Sequence, residues 1–580
     1  MRSREINILH ITLTIFIFVI PVILSAFEKG VGVYLSLFLF ALCMGLGIIR
    51  NRYAVLSKTA VCMLAMSAYS FLSLLWVSDK GCQVMAGSMF LTAAFACLLI
   101  GDYKYKCGNA ALGDIAFRLI YSASLFYSVI AVLHQIFIES SFIGCSMDLG
   151  KGSPDTGAFI AVFGIVSALR LFGNKKRQPE FYVAVPIFAY VLLMTKSFMG
   201  YLFAFAVAFA WCITRRHKKV EALLCLSGCA VMGIVNAINA VAELIVTKNA
   251  YLNGAIKGLV SVLGIGCGGY NATCAVTEGG YEGFPSVLSF LTEAYGIIGV
   301  GFVIVALCGA VMCCMKRPGF INLVMLMLTI GVLLSSSEAA AFTIPLIAMY
   351  YTCREDGVIV YIHRSISVIF ALVGIFALLF ASSHIPYAIA DHNYDMGRFD
   401  KAGRYYEAGA RMEMISSYGW ERAYKAYMKE YGADENALYS EHRRLIRNAI
   451  KFNKKNYGYY RDMAKVYTAE GDYIAAMETW ENIILRHDKE VLYPSYAEKI
   501  YDVMANCPVG LDMMGELYTK IDTYAKKATD RDIIFEMNNI LARSQTYYIN
   551  VREGVFEEAD MYEAVENMTE AEYESGNTES

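Results

Sequence analysis

The feature that most constrains this chain is a long series of apolar stretches that stops after about residue 381 of 580. Many of these stretches have close to the roughly 20 residues that a helix needs to cross a bilayer core of about 30 Å. From about residue 383 onward the sequence becomes polar, charged and rich in Tyr, Glu and Lys. The pattern therefore predicts a polytopic membrane domain at residues 1–384, followed by a water-exposed domain.

Composition narrows the possible functions. Hydrophobic residues make up 57% of the chain and charged residues only 18%, whereas soluble domains carry about 25% charge. The formal net charge of −2 argues against nucleic-acid binding, because a phosphate backbone demands a basic surface. The 16 cysteines are scattered without a C-x-x-C pair, so neither a zinc site nor a disulfide framework is indicated. We expect no metal and no cofactor.

The apolar stretches predict an all-α fold with thirteen membrane-spanning helices. Glycine and proline between the stretches mark several of the turns. The predicted spans are residues 8–26, 31–49, 58–77, 84–100, 115–137, 156–172, 181–195, 198–213, 220–246, 286–312, 320–335, 339–353 and 365–383.

Basic residues predict the orientation of these spans, since short cytoplasmic loops of membrane proteins are enriched in Lys and Arg. Every second loop is basic, which places the N-terminus in the cytoplasm and, after thirteen crossings, the polar C-terminal region on the opposite side of the membrane. The basic residues that define the cytoplasmic side are Arg2, Arg4, Arg50, Arg52, Lys58, Lys104, Lys106, Lys175, Lys176, Arg177, Arg215, Arg216, Lys218, Lys219, Lys316, Arg317, Arg354 and Arg364.

Two predicted outward loops are long, residues 139–157 and 247–285. The second contains Gly264, Gly266 and Gly268, followed by further glycines around Glu278 and Glu282. Glycines let the backbone adopt conformations in which amide groups line an anion site. A flexible or re-entrant turn explains them equally well. A dinucleotide fingerprint is not indicated, because no strand precedes the glycines.

Three short segments, taken in order, resemble motifs of the O-antigen ligase/polymerase family (Wzy/WaaL-like membrane glycosyltransferases). Residues 192–200 (LLMTKSFMG) are similar to the family's LxLTxSRG stretch, residues 264–270 (GIGCGGY) to its GxGxxxF segment, and residues 291–299 (LTEAYGIIG) to its LLxExGxxG helix start. The resemblance covers about residues 30–355. Phe198 stands where the family has Arg, and the large outward loop contains no His.

The resemblance implies a GT-C-like bundle that transfers a glycan from a polyprenyl diphosphate at the outer face of a bacterial plasma membrane, by a metal-independent, inverting reaction. Cations would hold the leaving diphosphate, and a carboxylate would engage the acceptor hydroxyl. Each candidate side chain also fits a purely structural role, as an interfacial lysine, a solvated loop carboxylate or a helix-start acid. The candidate bases are Glu278, Glu282 and Glu293, and the candidate binding residues are Lys196, Ser197, Lys248, Lys257, Gly266, Gly268 and Tyr270.

Three alternatives stay open. Residues 153–157 (SPDTG) are faintly similar to a segment of the SEDS-type peptidoglycan glycosyltransferases, although SSSEAAA at 335–341 stands where their PFxSYGG segment is expected. A transporter of lipid-linked glycans would show internal repeats and charges near mid-membrane. A non-catalytic membrane scaffold for the C-terminal domain is the third. The sequence does not distinguish a polymerase from a ligase.

The region 385–550 predicts helical hairpins of the tetratricopeptide type. Eight residues fall at the spacing of one 34-residue repeat, and Gly397, Phe399, Ala402 and Tyr406 match the second half of another. Stacked hairpins present a concave surface on which a protein partner can dock. The acidic residues 551–580 predict a disordered tail. The eight matching residues are Tyr460, Met463, Ala464, Tyr467, Gly471, Tyr473, Ala476 and Trp480.

Overall fold

The structure is a computed structural model. It describes residues 29–77, 80–107, 109–137, 154–172, 179–195, 197–214, 287–316, 319–334, 340–431, 439–454, 456–487 and 490–554. Within these ranges the chain is all-α apart from one pair of short strands.

The helices of the apolar region match eleven of the thirteen predicted spans in position. The spans predicted at 8–26 and 220–246 lie outside the described residues. The elements are α1 (Lys29–Asn51), β1 (Tyr53–Leu56), α2 (Lys58–Leu72, continued by a 3₁₀ turn Ser73–Leu75), α3 (Lys80–Cys107), α4 (Asn109–Phe137), α5 (Pro154–Phe172), α6 (Pro179–Met194), α7 (Phe198–Thr214), α8 (Val287–Lys316), α9 (Phe320–Leu334), α10 (Ala340–Arg354), β2 (Val358–Tyr361) and α11 (Ser367–Asp395).

Five helices in the described ranges have the length and apolar composition needed to cross a membrane: Val31–Asn51, Lys58–Leu75, Gln83–Lys106, Tyr295–Lys316 and Arg364–Asp395. In the most apolar windows of the last two, only 17% of the residues are buried. Ile304 and Val305 of α8 and Leu372 and Leu379 of α11 are well exposed. Exposed apolar faces of this extent are costly in water and favourable in lipid.

One end of the helical bundle is formed by segments that the basic-residue pattern assigns to the cytoplasmic side. Strand β1 pairs with β2 antiparallel, with Tyr53 opposite Tyr361. The Lys104 ammonium at the end of α3 donates to the Glu355 carbonyl just after α10. The Glu355 carboxylate accepts from the backbone N–H and the hydroxyl of Thr59, both at 2.9 Å, and so caps α2. Three predicted cytoplasmic loops thus meet at what we call the basic end.

Helix α11 continues past the domain boundary that we predicted after residue 384. The apolar run ends there, but the polar residues that follow remain helical because they pack against the next helix. The Tyr387 side chain is fully buried. Its side chain lies against Gly409 and Gly419. A Cβ atom on Gly409 would come within 2.4 Å of the ring, and one on Gly419 within 2.5 Å of the hydroxyl oxygen. The Tyr387 hydroxyl donates to the Glu413 carboxylate at 2.8 Å.

The chain divides into two compact units, Met1–Met396 with Arg404–Gly419, and Gly397–Gly403 with Trp420–Ser580. The polar region is a succession of helices, and from Tyr439 onward each helix packs against its neighbour in sequence. They are α12 (Phe399–Glu413), α13 (Tyr418–Tyr431), α14 (Tyr439–Phe452), α15 (Tyr457–Ala469), α16 (Tyr473–His487), α17 (Tyr493–Asn506), α18 (Leu511–Lys527) and α19 (Arg531–Arg552). Of the acidic segment 551–580, residues 555–580 lie outside the described residues.

Two turns in the polar region repeat the same local structure. Gly397 and Gly471 both have a positive φ, 72° and 83°, which favours glycine over residues with a side chain. Each is followed two residues later by the start of a helix, and five residues later by a fully buried alanine, Ala402 or Ala476. Nine residues on, Tyr406 and Trp480 are buried in turn. The helix–turn–helix that we predicted around Gly471 is confirmed.

Candidate functional site

The part of the bundle remote from the basic end contains a cluster of polar side chains, which we call the distal cluster: Ser70, Ser73, Gln83 and Tyr295. Ser70 follows the helix cap Ser57 by 13 residues, which corresponds to about 20 Å along α2. Gln83 precedes Lys104 by 21 residues, or about 32 Å along α3. The distal cluster therefore lies about one bilayer-core thickness or somewhat less from the basic end.

Hydrogen bonds connect the distal cluster across three helices. The Tyr295 hydroxyl at the start of α8 lies 2.8 Å from the Ser70 hydroxyl of α2. The Gln83 amide of α3 donates to the Ser73 hydroxyl at 2.7 Å. All four side chains are buried. The Gln83 carbonyl oxygen has no hydrogen-bond partner, which leaves one buried acceptor of the distal cluster unsatisfied.

The segment 291–299, one of the three motif segments, forms a sharp bend in α8. Gly296 has φ 57° and ψ −135°, so α8 consists of two helices joined at a kink. This backbone region is accessible almost only to glycine. Residues 291 and 299 would be about 12 Å apart in a continuous helix, yet a Cβ atom on Gly299 would lie 1.9 Å from the Leu291 carbonyl oxygen. The chain folds back on itself here, and we call this bend the α8 elbow.

Another of the three motif segments, residues 192–200, includes the end of α6 and the start of α7. The Ser197 side chain is buried, and its hydroxyl accepts from the Gly200 N–H at 2.9 Å. Ser197 therefore caps the N-terminus of α7, which satisfies one of the free amides there. A Cβ atom on Gly200 would lie 2.4 Å from the Ala158 Cβ of α5, so this glycine permits α5 and α7 to pack closely.

Only two of the ten candidate site residues fall within the described ranges. Ser197 has the capping role just given. Glu293 lies in the first helix of α8, two residues before Tyr295. The other eight lie outside the described residues: Lys196, Lys248, Lys257, Gly266, Gly268, Tyr270, Glu278 and Glu282. Among the residues that the structure describes, no group of three His, Cys, Asp or Glu could hold a metal ion.

The distal cluster was not predicted, although the sequence contains signals for it. Ser67, Ser70 and Ser73 recur every three residues in α2 and so lie near one face of the helix. Gln83 is a polar residue shortly before an apolar stretch, and polar groups in membrane-spanning segments commonly mark functional or packing sites. Tyr295 lies inside a motif segment that we had singled out only for Glu293 and its glycines.

Comparison with known proteins identifies no family. No protein-family model matches the chain, and no curated protein matches it. Among solved structures, the chain is similar to yeast Tom70 at 11% sequence identity over 80% of this chain and 99% of that chain. The TM-score of that superposition is 0.20, and a similarity at this level carries no argument about fold or function.

Proposed function

We propose that the protein is a membrane glycosyltransferase that polymerises or ligates glycans carried on a polyprenyl diphosphate, with its reacting end outside the plasma membrane. The observation that carries the proposal is the α8 elbow. Both glycines of the resembling segment 291–299 are required there, Gly296 by its backbone angles and Gly299 by its contact with Leu291. The bend therefore explains why glycine occurs at these two positions of a short and degenerate motif.

The proposed orientation draws support from the two ends of the bundle. Three basic loops meet at one end, as the distribution of Lys and Arg in membrane proteins favours for the cytoplasmic side. The α8 elbow is linked through Tyr295 to Ser70 near the other end. On this orientation the motif segment 291–299 faces the compartment where lipid-linked glycans are polymerised and ligated in the family that it resembles.

The proposed chemistry uses side chains of the chain itself. Lysine ammonium groups from Lys196, Lys248 and Lys257 would neutralise the departing diphosphate through charge-assisted hydrogen bonds. A carboxylate from Glu278, Glu282 or Glu293 would accept the proton of the acceptor hydroxyl as it attacks the anomeric carbon. The sugar–phosphate bond breaks and the diphosphate leaves with both bonding electrons. One displacement of this kind inverts the anomeric centre.

The full chain in nanodiscs, supplied with undecaprenyl-diphosphate glycans, tests the proposal. We expect chain extension in the wild-type protein. Glu282→Ala should lose about 10²–10⁴-fold, the scale of one general base, and Lys196→Ala at least about tenfold, the scale of one hydrogen bond to a charged group. Lys80→Ala is the matched control, because Lys80 is an exposed lysine at the start of α3. A ladder of products indicates a polymerase and a single addition a ligase. Wild-type protein that makes neither refutes the proposal.

Two further outcomes separate the alternatives. Movement of the lipid-linked glycan across the bilayer without chain extension would identify a transporter instead. Full activity in both Lys196→Ala and Glu282→Ala would leave the reaction class standing and overturn the assignment of these two residues.

A further inference from the structure

The hydrogen bond between Tyr295 and Ser70 has a defined direction. The Ser70 hydroxyl donates its only proton to the Met66 carbonyl at 2.7 Å. In the 2.8 Å contact with Tyr295 Ser70 is therefore the acceptor, and the Tyr295 hydroxyl donates. The bond joins the first helix of α8 to α2, two elements that are 225 residues apart in sequence.

The surroundings of Tyr295 hold its ring in one place. The side chain is fully buried. The rings of Phe90 and Phe290 meet it edge-on, with centroids 5.9 and 5.7 Å away, an arrangement that stabilises aromatic pairs. The α8 elbow follows directly at Gly296. The helix Val287–Tyr295 is thus fixed at its C-terminal end by a packed ring, one hydroxyl and a glycine-dependent bend.

Glu293 occupies this same short helix. Successive helical residues are separated by about 100°, so positions 293 and 295 lie about 200° apart around the axis. The helix face that carries Tyr295 packs toward α2 and α3, which places position 293 on the other side of the helix. Rotation of this helix about its axis would move both positions together. The Tyr295 anchor therefore sets the orientation of the helix that carries residue 293.

We propose that Tyr295 is a positioning residue of the transferase, acting through Ser70 to hold the Glu293-bearing helix in its working orientation; this rests on the function proposed above. Tyr295→Phe keeps the ring and removes only the hydroxyl, and Ser70→Ala removes its acceptor. Tyr295→Phe also removes the oxygen that contacts the Gln83 side chain, so the double variant should behave like Tyr295→Phe. The matched control is Ser67→Ala, which removes another buried hydroxyl bond between α2 and α3, to Gly87 at 2.9 Å.

Two measurements on the full chain in nanodiscs test the proposal. In transfer assays we expect kcat to fall by about tenfold in all three variants with KM unchanged, the scale of one buried hydrogen bond. In hydrogen exchange read by mass spectrometry, peptides covering 287–296 should exchange faster in the same variants. Ser67→Ala should leave both the exchange of 287–296 and kcat at the wild-type level.

The outcomes separate this proposal from the one on which it rests. Unchanged exchange at 287–296 in Tyr295→Phe, or faster exchange with wild-type kcat, overturns the positioning role while the transferase stands. Equal losses in Ser67→Ala also overturn it, since the effect would then be general loosening of the bundle. Wild-type protein without transfer activity overturns the transferase, and the positioning role falls with it.

Discussion

The α8 elbow makes a quantitative prediction for Gly299→Ala. The added methyl group would lie 1.9 Å from the Leu291 carbonyl oxygen and must move about 1.1 Å to reach the 3.0 Å below which real Cβ contacts are essentially absent. Its neighbour is a backbone atom, which cannot rotate away as a flexible side chain does. Overpacking of this kind costs about 1–3 kcal/mol of folding free energy.

Gly301→Ala is the matched control, because Gly301 lies two residues later in α8 and a Cβ atom there would meet nothing within 4 Å. Both substitutions gain the helix propensity of alanine, about 1 kcal/mol. The difference in stability between the two variants therefore isolates the contact with Leu291. We expect Gly301→Ala to unfold at or above the wild-type temperature and Gly299→Ala clearly below it.

The assay is thermal unfolding of the purified chain in one detergent, followed by circular dichroism or intrinsic fluorescence. Gly296→Ala, which forces a residue with a side chain to φ 57°, should also unfold below Gly301→Ala. If Gly299→Ala and Gly301→Ala unfold at the same temperature, the chain does not fold back at residue 299 and the α8 elbow is refuted.

Three further predictions concern packing and pH. Gly331→Ala would place a Cβ atom 1.3 Å from the Phe203 ring, so it should destabilise the chain strongly, and Phe203→Ala in the same chain should restore part of the loss. Burial lowers the pKa of His442, and neither ring nitrogen has a hydrogen-bond partner. The folded state therefore binds a proton at His442 less readily than the unfolded state, so stability should fall as the pH drops below the unfolded pKa of about 6.5, and His442→Phe should weaken this dependence. Hydrogen bonds from Thr529 and the backbone amide of the next residue lower the pKa of Glu490. Glu490→Gln should therefore reduce stability at neutral pH, and the stabilities of the variant and the wild type should become equal in acid, as the pH falls through the folded pKa.

Each of these three substitutions has a matched control in the chain. Gly309→Ala introduces a methyl group with nothing within 4 Å, and equal stability of Gly309→Ala and Gly331→Ala would contradict the packing argument. His392 and Glu536 are exposed. His392→Gln is the control for His442→Phe, and an equal change in the pH dependence of stability would contradict the argument for His442. Glu536→Gln is the control for Glu490→Gln, and an equal loss of stability at neutral pH would contradict the argument for Glu490.

Hydropathy predicted the positions of the described helices of the apolar region well, because each predicted span is a continuous apolar run bounded by charges or turn residues. The end of α11 shows the limit of this method. Hydropathy stops at residue 383, but the helix continues to Asp395 because Tyr387 packs between Gly409 and Gly419. That contact joins residues more than 20 positions apart, and a local pattern cannot reveal it.

The distal cluster illustrates the same limit for the candidate site. The sequence drew attention to Glu293 through a motif, whereas Tyr295 and Ser70 meet only when α2 and α8 pack together. The repeated turns at Gly397 and Gly471 were easier to predict, because all of their determinants lie within ten residues of each glycine.

The central claim is that the basic end and the polar C-terminal region lie on opposite sides of the membrane, and α11 is the helix that connects them. With 29 residues it spans about 43 Å, enough to cross a bilayer and emerge on the far side. Tyr361 in β2 precedes α11 in the sequence and Phe535 in α19 follows it, and both side chains are exposed. In an otherwise cysteine-free chain, a membrane-impermeant maleimide applied to intact cells should label Phe535→Cys and should label Tyr361→Cys only after the cells are opened. Labelling of both in intact cells, or of Tyr361→Cys alone, would contradict the account.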